Sequence, residues 1–221
     1  MIFRPKYITF DCYGTLTYFR MHEMALDMYE GQLPTEQLRQ FVRDFNAYRL
    51  DEVMGDWKPY ADVLKSALER ACRRHGLKYR DEDGQKYYDA VPTWGPHTDV
   101  PHPLTRIAKH IPLVILSNAM NEQIHHNVAK LGAPFHRVYT AQQAQAYKPR
   151  LRAFEYMLEQ LGCAPEEILH VSSSMRYDHL SAADLGIRNR AFVARGHEPF
   201  NAAYGAREIR DIGGLPALVG L

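Results

Sequence analysis

Residues 6–16 read KYITFDCYGTL and contain the first β-rich run of the chain. Residues 6–11 are short and rich in β-forming side chains, and the turn residues Tyr13, Gly14 and Thr15 come directly after them. This pattern predicts a buried strand that opens onto a loop, with Asp11 at its carboxyl end. An aspartate at such a place is either a turn cap or a functional group. The residues at the ends of the other strands decide between the two.

A helical block comes next and occupies residues of about 20–91. From Thr35, apolar side chains recur at helical spacing, and Thr35 and Glu36 supply a start signal. A second apolar stripe runs from Val63 to Cys72 and ends at a glycine, and a third, weaker helix begins after Asp81. The prolines at 92–103 are then typical of a linker.

Beyond the prolines, strands and helices alternate. The predicted strands are 113–116, 137–139, 168–171 and 191–194, and the predicted helices are 121–131, 150–161 and 178–185. Alternation of this kind indicates a parallel sheet with helices on both faces. Because the first strand belongs to the same sheet, the helical block is an insertion.

Ligands of such sheets bind beyond the carboxyl ends of the strands, near the point where the strand order reverses. Residues that directly succeed the predicted strands should therefore carry the function. These are Asp11, Ser117-Asn118, Lys148-Pro149 and the segment 172–178.

The composition excludes several classes of partner. The 221 residues contain 27 Lys+Arg and 26 Asp+Glu, so no excess charge favours nucleic acid or an anionic membrane. Apolar runs such as 111–116 are too short to span a bilayer, and no apolar leader with a cleavage site precedes the first strand. The three cysteines lack both metal-type spacing and a disulfide pattern. We expect a cytoplasmic protein.

Four short motifs stand at the ends of the predicted strands. They are FDCYGTL at 10–16, ILSNA at 115–119, YKP at 147–149 and HVSSSMRYD at 170–178. Together they resemble the four motifs of the haloacid dehalogenase superfamily, and the resemblance covers the whole chain. It implies an α/β fold with a Rossmann-like parallel-sheet core at 1–18 and 100–221. A helical cap at 19–99 is inserted into this core, and the active site lies between the two.

The resemblance also implies which residues carry out catalysis. Asp11 is the covalent nucleophile, and Thr15 and Lys148 orient it. A carboxylate is a good nucleophile only where water is excluded, and the ester that it forms must be broken in a second step. A lysine can hold the carboxylate in position without protonating it. Asp178, with Ser172 or Ser174, positions the water that splits the ester.

Substrate binding is implied by the same resemblance. Ser117 and Asn118, with the backbone amides of Cys12 and Tyr13, hold the substrate carboxylate. Arg49, which precedes a tryptophan by eight residues as in the type II haloacid dehalogenases, meets the departing halide. A guanidinium stays charged at every relevant pH and can stabilise a developing anion. The alternative for Arg49 is a solvated charge on a polar helix face.

Two absences favour a 2-haloacid dehalogenase over a phosphatase. Phosphatases of this superfamily carry a second aspartate two residues after the nucleophile, which protonates the leaving alkoxide, and here that residue is Tyr13. A halide needs no proton to leave. The fourth motif reads Ser172-Ser173-Ser174 in place of the acidic residues that hold Mg²⁺. We therefore expect neither a metal nor another cofactor.

Several residues depart from the family pattern. Cys12 replaces an aliphatic residue and is interpreted as a small buried hydrophobe. Phe154 replaces an active-site tyrosine, and Ser174 replaces an asparagine. Asp178 lies one residue further along than expected, so it is either the water-positioning aspartate or a helix N-cap.

The sequence leaves three functions open. The first is hydrolysis of short 2-haloacids with release of halide. The second is a Mg²⁺-dependent phosphatase of the same superfamily, and the third is a catalytically silent member that acts as a binding protein. Family members are often dimers through the cap, and the sequence leaves a homodimer open.

Overall fold

Six parallel strands form one sheet in the computed structural model, which describes residues 3–221. The strands are β1 (Tyr7–Phe10), β2 (Leu113–Ser117), β3 (Arg137–Thr140), β4 (Ile168–Ser172), β5 (Asn189–Val193) and β6 (Arg207–Ile209). Their spatial order is β3-β2-β1-β4-β5-β6. The predicted parallel sheet is confirmed, and the first strand belongs to it.

Strand β1 lies between β2 and β4. Phe10 pairs with Ile115 on one side and with Val171 on the other. Because parallel strands in register end at the same edge, the residues after β1, β2 and β4 come together there. The order of strands along the chain reverses at β1, which makes this edge the expected ligand site.

A helical unit, residues 19–94, is inserted after β1. It contains α1 (Met21–Tyr29), α2 (Thr35–Met54), α3 (Tyr60–Arg74) and α4 (Asp81–Ala90). The apolar stripes that predicted α2 and α3 are buried, with Phe41, Phe45 and Leu64 fully covered.

The core unit consists of the sheet and six further helices, and its described residues are 3–18 and 95–221. The helices are α5 (Pro101–Ile107), α6 (Asn121–Val128), α7 (Ala141–Ala144), α8 (Leu151–Leu161), α9 (Leu180–Asp184) and α10 (Leu215–Leu218). Residues 95–99, assigned to the cap from the sequence, group with the core unit instead. Asp99 forms a bidentate ion pair there with Arg195.

Successive side chains of the strands pack into two apolar layers. One layer joins the sheet to α5 and α10 and includes Ile8, Phe10, Ile115, Val171, Leu104 and Leu215. The other joins it to α8 and includes Val114, Leu116, Ile168, Phe154 and Met157. Since neighbours along a strand point to opposite faces, the alternation of Val114 and Ile115 between the layers shows that helices cover both faces of the sheet.

Three elements differ from the prediction. The proline-rich stretch contains the start of α5, because Pro101 occupies the first helical turn, where a missing N–H is tolerated. Helix α6 ends at Val128, three residues before the predicted end at Leu131. Strand β6 was not predicted. No helix within residues 3–221 combines the length and hydropathy needed to cross a membrane.

The predicted helix 178–185 also differs. Residues Met175–His179 form one π-helical turn, and α9 begins only at Leu180. The backbone N–H of His179 binds the carbonyl of Ser174, and that of Leu180 binds the carbonyl of Met175. These bonds span five residues, so the turn accommodates one residue more than an α-helical turn would.

Candidate active site

The carboxyl edge of the sheet gathers a lysine and two aspartates. Asp11 lies directly after β1, Asp178 lies in the π-helical turn after β4, and Lys148 comes from the loop between α7 and α8. All three belong to the core unit. Lys148 is 1% exposed, Asp11 8% and Asp178 0%, so the charges are removed from water.

Lys148 joins the two carboxylates. Its Nζ donates to Oδ1 of Asp11 at 2.9 Å, to Oδ1 of Asp178 at 2.7 Å and to the carbonyl oxygen of Leu116 at 2.9 Å. The three protons of the ammonium therefore have three acceptors. Breaking a buried pair of this kind by removing one partner typically costs about 3–5 kcal/mol, because the other charge stays buried.

Asp11 is held by its second oxygen as well. The hydroxyl of Thr15 donates to Oδ2 of Asp11 at 2.7 Å. Thr15 in turn accepts the backbone N–H of Ser173 at 2.9 Å, and the hydroxyl of Ser173 donates to the carbonyl of Gly14 at 3.0 Å. Gly14 has φ of +87°, a conformation that glycine adopts without strain. The loop after β1 is thus fixed against the loop after β4.

The arrangement shifts the pKa of each charged group. Burial raises the pKa of Asp11 above its ordinary value; Lys148 opposes this shift and the nearby charge of Asp178 adds to it. Burial alone would raise the pKa of Asp178, but Lys148 and His170 lower it overall. Burial alone would lower the pKa of Lys148, but the two carboxylates raise it. Lys148 therefore stays protonated and Asp178 stays ionised.

Asn118 and Ser117 have different surroundings. The side-chain amide of Asn118 binds the main chain of Lys148, accepting from its N–H at 2.7 Å and donating to its carbonyl at 2.8 Å. The side chain of Asn118 therefore positions Lys148, which the sequence did not predict. The hydroxyl of Ser117 is buried and has no hydrogen-bond partner among residues 3–221.

Cys12 and Tyr13 come directly after the candidate nucleophile. The Cys12 thiol is fully buried, and burial together with the charge of Asp11 raises its pKa, so it remains a neutral thiol. The phenol of Tyr13 donates to Oδ1 of Asn127 at 3.0 Å. The position that holds the second aspartate in phosphatases is therefore occupied by a neutral side chain bound to α6.

Ser172 and Ser174 shape the loop after β4. The hydroxyl of Ser172 accepts the N–H of Ser174 at 3.0 Å. The hydroxyl of Ser174 accepts the N–H of Tyr177 and donates to Glu198 at 2.8 Å, which makes Ser174 the N-cap of the π-helical turn. Neither hydroxyl has a hydrogen bond to Asp11 in the described chain. The N-cap role considered for Asp178 therefore falls to Ser174.

Sequence reasoning assigned no role to two residues that contact this site. Ser173, which lies in the predicted segment 172–178, binds Thr15 and Gly14. His170, in the middle of β4, contacts Oδ1 of Asp178 through Nε2 at 3.0 Å. A histidine inside the otherwise apolar run ILHV was the available signal, since a buried polar side chain needs a partner.

Arg49 lies in the helical unit, on α2. Its side chain is buried, its guanidinium is 4.9 Å from the ring centre of Phe19 and 5.7 Å from that of Phe45, and it donates to Asn46 at 2.9 Å. Its Nε has no hydrogen-bond partner within residues 3–221. The alternative of a solvated surface charge is therefore wrong.

A family model for haloacid dehalogenase-like hydrolases matches residues 5–186. The chain belongs to this family. The hydrolase is 27% identical over 186 residues to the (S)-2-haloacid dehalogenase of Pseudomonas putida, and the match covers 81% of this chain and 80% of that relative.

Solved structures share the fold of this hydrolase. The L-2-haloacid dehalogenase of Xanthobacter autotrophicus with chloropropionic acid covalently bound has a TM-score of 0.77 and 23% identity, with 100% of this chain and 99% of that chain covered. The putative HAD-hydrolase YfnB of Bacillus subtilis, bound to magnesium, has a TM-score of 0.82 and 16% identity, with 99% and 100% covered. At these identities the comparison establishes the fold.

The carboxylates that could offer oxygen ligands to a metal ion contact a lysine in this hydrolase. Mg²⁺ takes several oxygen ligands in octahedral geometry. Here the Lys148 ammonium lies between the carboxylates of Asp11 and Asp178, and the phenol of Tyr13 is bound to Asn127. The oxygens Oδ1 of both carboxylates are thus engaged by the lysine.

The charge arrangement of the hydrolase predicts how Asp11 titrates. In the wild type, the pKa of the Asp11 carboxyl should lie above 3.8, the ordinary value for aspartate, because burial and Asp178 both raise it. Asp178→Asn should lower the Asp11 pKa, because a like charge is removed and Lys148 is left to Asp11 alone. The measurement is a carbon NMR titration of the Asp11 carboxyl.

Asp184→Asn is the matched control, because this exposed aspartate at the end of α9 lies in the same unit. It should leave the Asp11 titration unchanged. An unchanged or raised Asp11 pKa in Asp178→Asn would show that the two carboxylates do not interact as described.

Proposed function

We propose that this hydrolase converts short 2-haloacids to 2-hydroxy acids through an ester on Asp11. One observation carries the proposal: a buried carboxylate is held by Lys148 and Thr15, and no acidic side chain stands two residues further on, at Tyr13. A leaving group that needs no proton suits such a site. The similarity to the haloacid dehalogenases of P. putida and X. autotrophicus supports the same reaction class.

In the first step, one oxygen of Asp11 attacks the halogen-bearing carbon from the side opposite the halogen. A carbon–oxygen bond forms, and the carbon–halogen bond breaks with its electron pair leaving on the halide. The configuration at carbon inverts. Lys148 and Thr15 support this step because each fixes one oxygen of the carboxylate before the substrate arrives.

In the second step, water attacks the carbonyl carbon of the Asp11 ester. The bond from this carbon to the substrate oxygen then breaks, and the hydroxy acid leaves after its oxygen takes up a proton. Asp11 returns as a carboxylate and one proton is released to solvent. Asp178 is our candidate for the group that binds the water and relays the proton, since its Oδ2 is buried without a hydrogen-bond partner among residues 3–221.

Substrate binding is proposed for groups at the edge of the sheet. The hydroxyl of Ser117 and the backbone amides of Cys12, Tyr13 and Asn118 would hold the substrate carboxylate. The unpartnered Ser117 hydroxyl supports this role, because a buried hydroxyl without an acceptor is costly unless a ligand supplies one. The side chain of Asn118 takes no part, since it binds the main chain of Lys148.

Arg49 is proposed to stabilise the departing halide. Its guanidinium is buried against aromatic rings and bonded to the neutral amide of Asn46, which leaves its charge uncompensated by that contact. A desolvated cation with a free N–H is suited to an anion of low hydration such as a halide. This assignment rests on the family spacing and on these contacts within the helical unit.

The nucleophile is tested by substituting Asp11. Asp11→Asn should abolish halide release from 2-chloropropionate, because a neutral amide does not displace halide, while the fold persists by circular dichroism. In the wild type, a single turnover in heavy-oxygen water should place the label in the Asp11 carboxylate, as read by peptide mass spectrometry. The product should stay unlabelled, because its new oxygen comes from Asp11.

A substrate screen separates the proposal from its alternatives. Halide release and phosphate release are measured with and without Mg²⁺ and after exhaustive chelation. Halide release that is indifferent to Mg²⁺ is the expected result. Mg²⁺-dependent release of phosphate from an aryl phosphate, faster than halide release, would instead indicate a phosphatase, and no release of either would indicate a binding protein.

Arg49→Lys should slow the first chemical step. Loss of one charge-stabilising contact in a transition state typically costs ~10²–10³-fold, and lysine cannot reproduce the planar donor set. Single-turnover halide release measures this step. Arg43→Lys on the exposed face of the same helix is the control, and it should release halide at the wild-type rate. A normal rate in Arg49→Ala would contradict the role.

Asp178→Asn should separate the two steps. Because Asp178 acts in the proposed reaction only after halide has left, the variant should give a stoichiometric burst of halide and then stall as the ester. Intact-protein mass spectrometry should show the adduct on Asp11, and Asp184→Asn should show none. Turnover of Asp178→Asn at the wild-type rate without an adduct would transfer the water-activating role to another group.

A further inference from the structure

His170 is a fully buried histidine whose two ring nitrogens both have partners. It lies in β4 directly opposite Thr9 of β1, and the Thr9 hydroxyl is 2.8 Å from Nδ1. Nε2 is 3.0 Å from Oδ1 of Asp178. The ring also packs edge-on against Phe154 at 5.1 Å between centroids. Its plane is therefore fixed from three sides.

The partners determine which nitrogen carries the proton. Asp178 stays ionised, because Lys148 and His170 hold its pKa below the ordinary value despite burial. An ionised carboxylate only accepts hydrogen bonds, so Nε2 must donate. Asp178 thus selects the form of the ring that carries a proton on Nε2. The Thr9 hydroxyl, 2.8 Å from Nδ1, can both donate and accept, so it satisfies Nδ1 and holds the ring in place.

The contact from His170 affects one oxygen of Asp178 and not the other. Oδ1 accepts from Nζ of Lys148 at 2.7 Å and from Nε2 of His170 at 3.0 Å. Oδ2 is buried and has no hydrogen-bond partner in residues 3–221. Two donors on a single oxygen fix the rotation of the carboxylate, and they leave the other oxygen available for a further donor.

We propose that His170 is a positioning residue which, held by Thr9, directs Oδ2 of Asp178 toward the water that cleaves the ester on Asp11. This inference rests on the proposed function. As the water oxygen bonds to the ester carbonyl carbon, Oδ2 takes one water proton. When the bond to the substrate oxygen breaks, that oxygen receives the proton from Oδ2. His170 exchanges no proton and keeps the carboxylate in place.

The proposed role of His170 affects only the second step, hydrolysis of the ester. This distinguishes it from a purely structural role, which would affect both steps. Asp11 is bound by Lys148 and Thr15, neither of which His170 contacts through a hydrogen bond in the described chain. Halide release should therefore survive loss of the imidazole, whereas ester hydrolysis should slow. A misplaced catalytic group costs about 10²-fold in rate, and we expect a loss of that order.

The experiment monitors both steps in His170→Phe and His170→Gln. Phenylalanine keeps the ring packing and removes the donor, while glutamine carries an N–H close to the position of Nε2. After rapid mixing with 2-chloropropionate, halide is measured by chemical quench and the Asp11 ester by intact-protein mass spectrometry. His170→Phe should give a normal burst of halide and accumulate the Asp11 ester. His170→Gln should recover much of the wild-type rate of ester hydrolysis.

His110→Gln is the control. His110 is an exposed histidine of the same unit and follows α5. Its substitution should leave ester hydrolysis at the wild-type rate. Thr9→Val, which keeps the shape of the side chain but removes the hydroxyl, should slow hydrolysis because Nδ1 of His170 loses its hydrogen-bond partner and the ring is held less firmly.

A second readout does not depend on turnover. Nitrogen NMR of histidine-labelled wild-type protein should show His170 protonated at Nε2 and unprotonated at Nδ1. Asp178→Asn should change the chemical shift of Nε2. This measurement applies even if His170→Phe fails to fold. The opposite tautomer in the wild type would overturn the inference.

The outcomes separate the two proposals. Absence of halide release from the wild type would overturn the proposed function, and this inference with it. Normal halide release by the wild type together with unchanged ester hydrolysis in His170→Phe would overturn the inference alone. Equal slowing of both steps in His170→Phe and His170→Gln would also overturn it, because that result marks a general structural role.

Discussion

The ammonium of Lys148 lies between the carboxylates of Asp11 and Asp178, and the other contacts of the site are arranged around these two ion pairs. Removing three charges from water is expensive, and their attraction offsets this only with good geometry and further hydrogen bonds. Here the carbonyl oxygen of Leu116 accepts the third hydrogen bond of the ammonium, Thr15 binds Asp11, and Asn118 holds the lysine backbone. The loops at this edge are therefore held in place by contacts to Lys148 or to the carboxylates that it binds.

Lys148, Asp11 and Asp178 together carry one more negative than positive charge, and this excess favours the proposed chemistry. Burial and Asp178 raise the pKa of Asp11, which makes its carboxylate more basic than an aspartate in water. When Asp11 becomes an ester, its charge is lost and Lys148 pairs with Asp178 alone. The site is then neutral, and Asp178 remains ionised beside the ester. In the proposed reaction, one lysine thus serves both steps.

The π-helical turn at Met175–His179 would accommodate the extra residue that the resemblance implies for the fourth motif. Its hydrogen bonds span five residues, and Ser174 caps its start with help from Glu198. Asp178, at the fourth position of this turn, lies 2.7 Å from Nζ of Lys148. The register of β1 and β4 brings Thr9 opposite His170. His170 in turn contacts Asp178 and so links the sheet to the π-helical turn.

The parallel sheet, the inserted helices and the residues at the strand ends could all be predicted from the sequence, because apolar periodicity and turn residues are local signals. The motifs identified Asp11 and Lys148, and both lie at the shared edge. Three other contacts became visible only in the folded chain: Asn118 holds Lys148, Ser174 binds Glu198 as a cap, and His170 binds Asp178. These pairs are separated by 30, 24 and 8 residues, so their contacts depend on strand register and turn type. No local pattern in the chain encodes which polar groups will meet once the strands are paired.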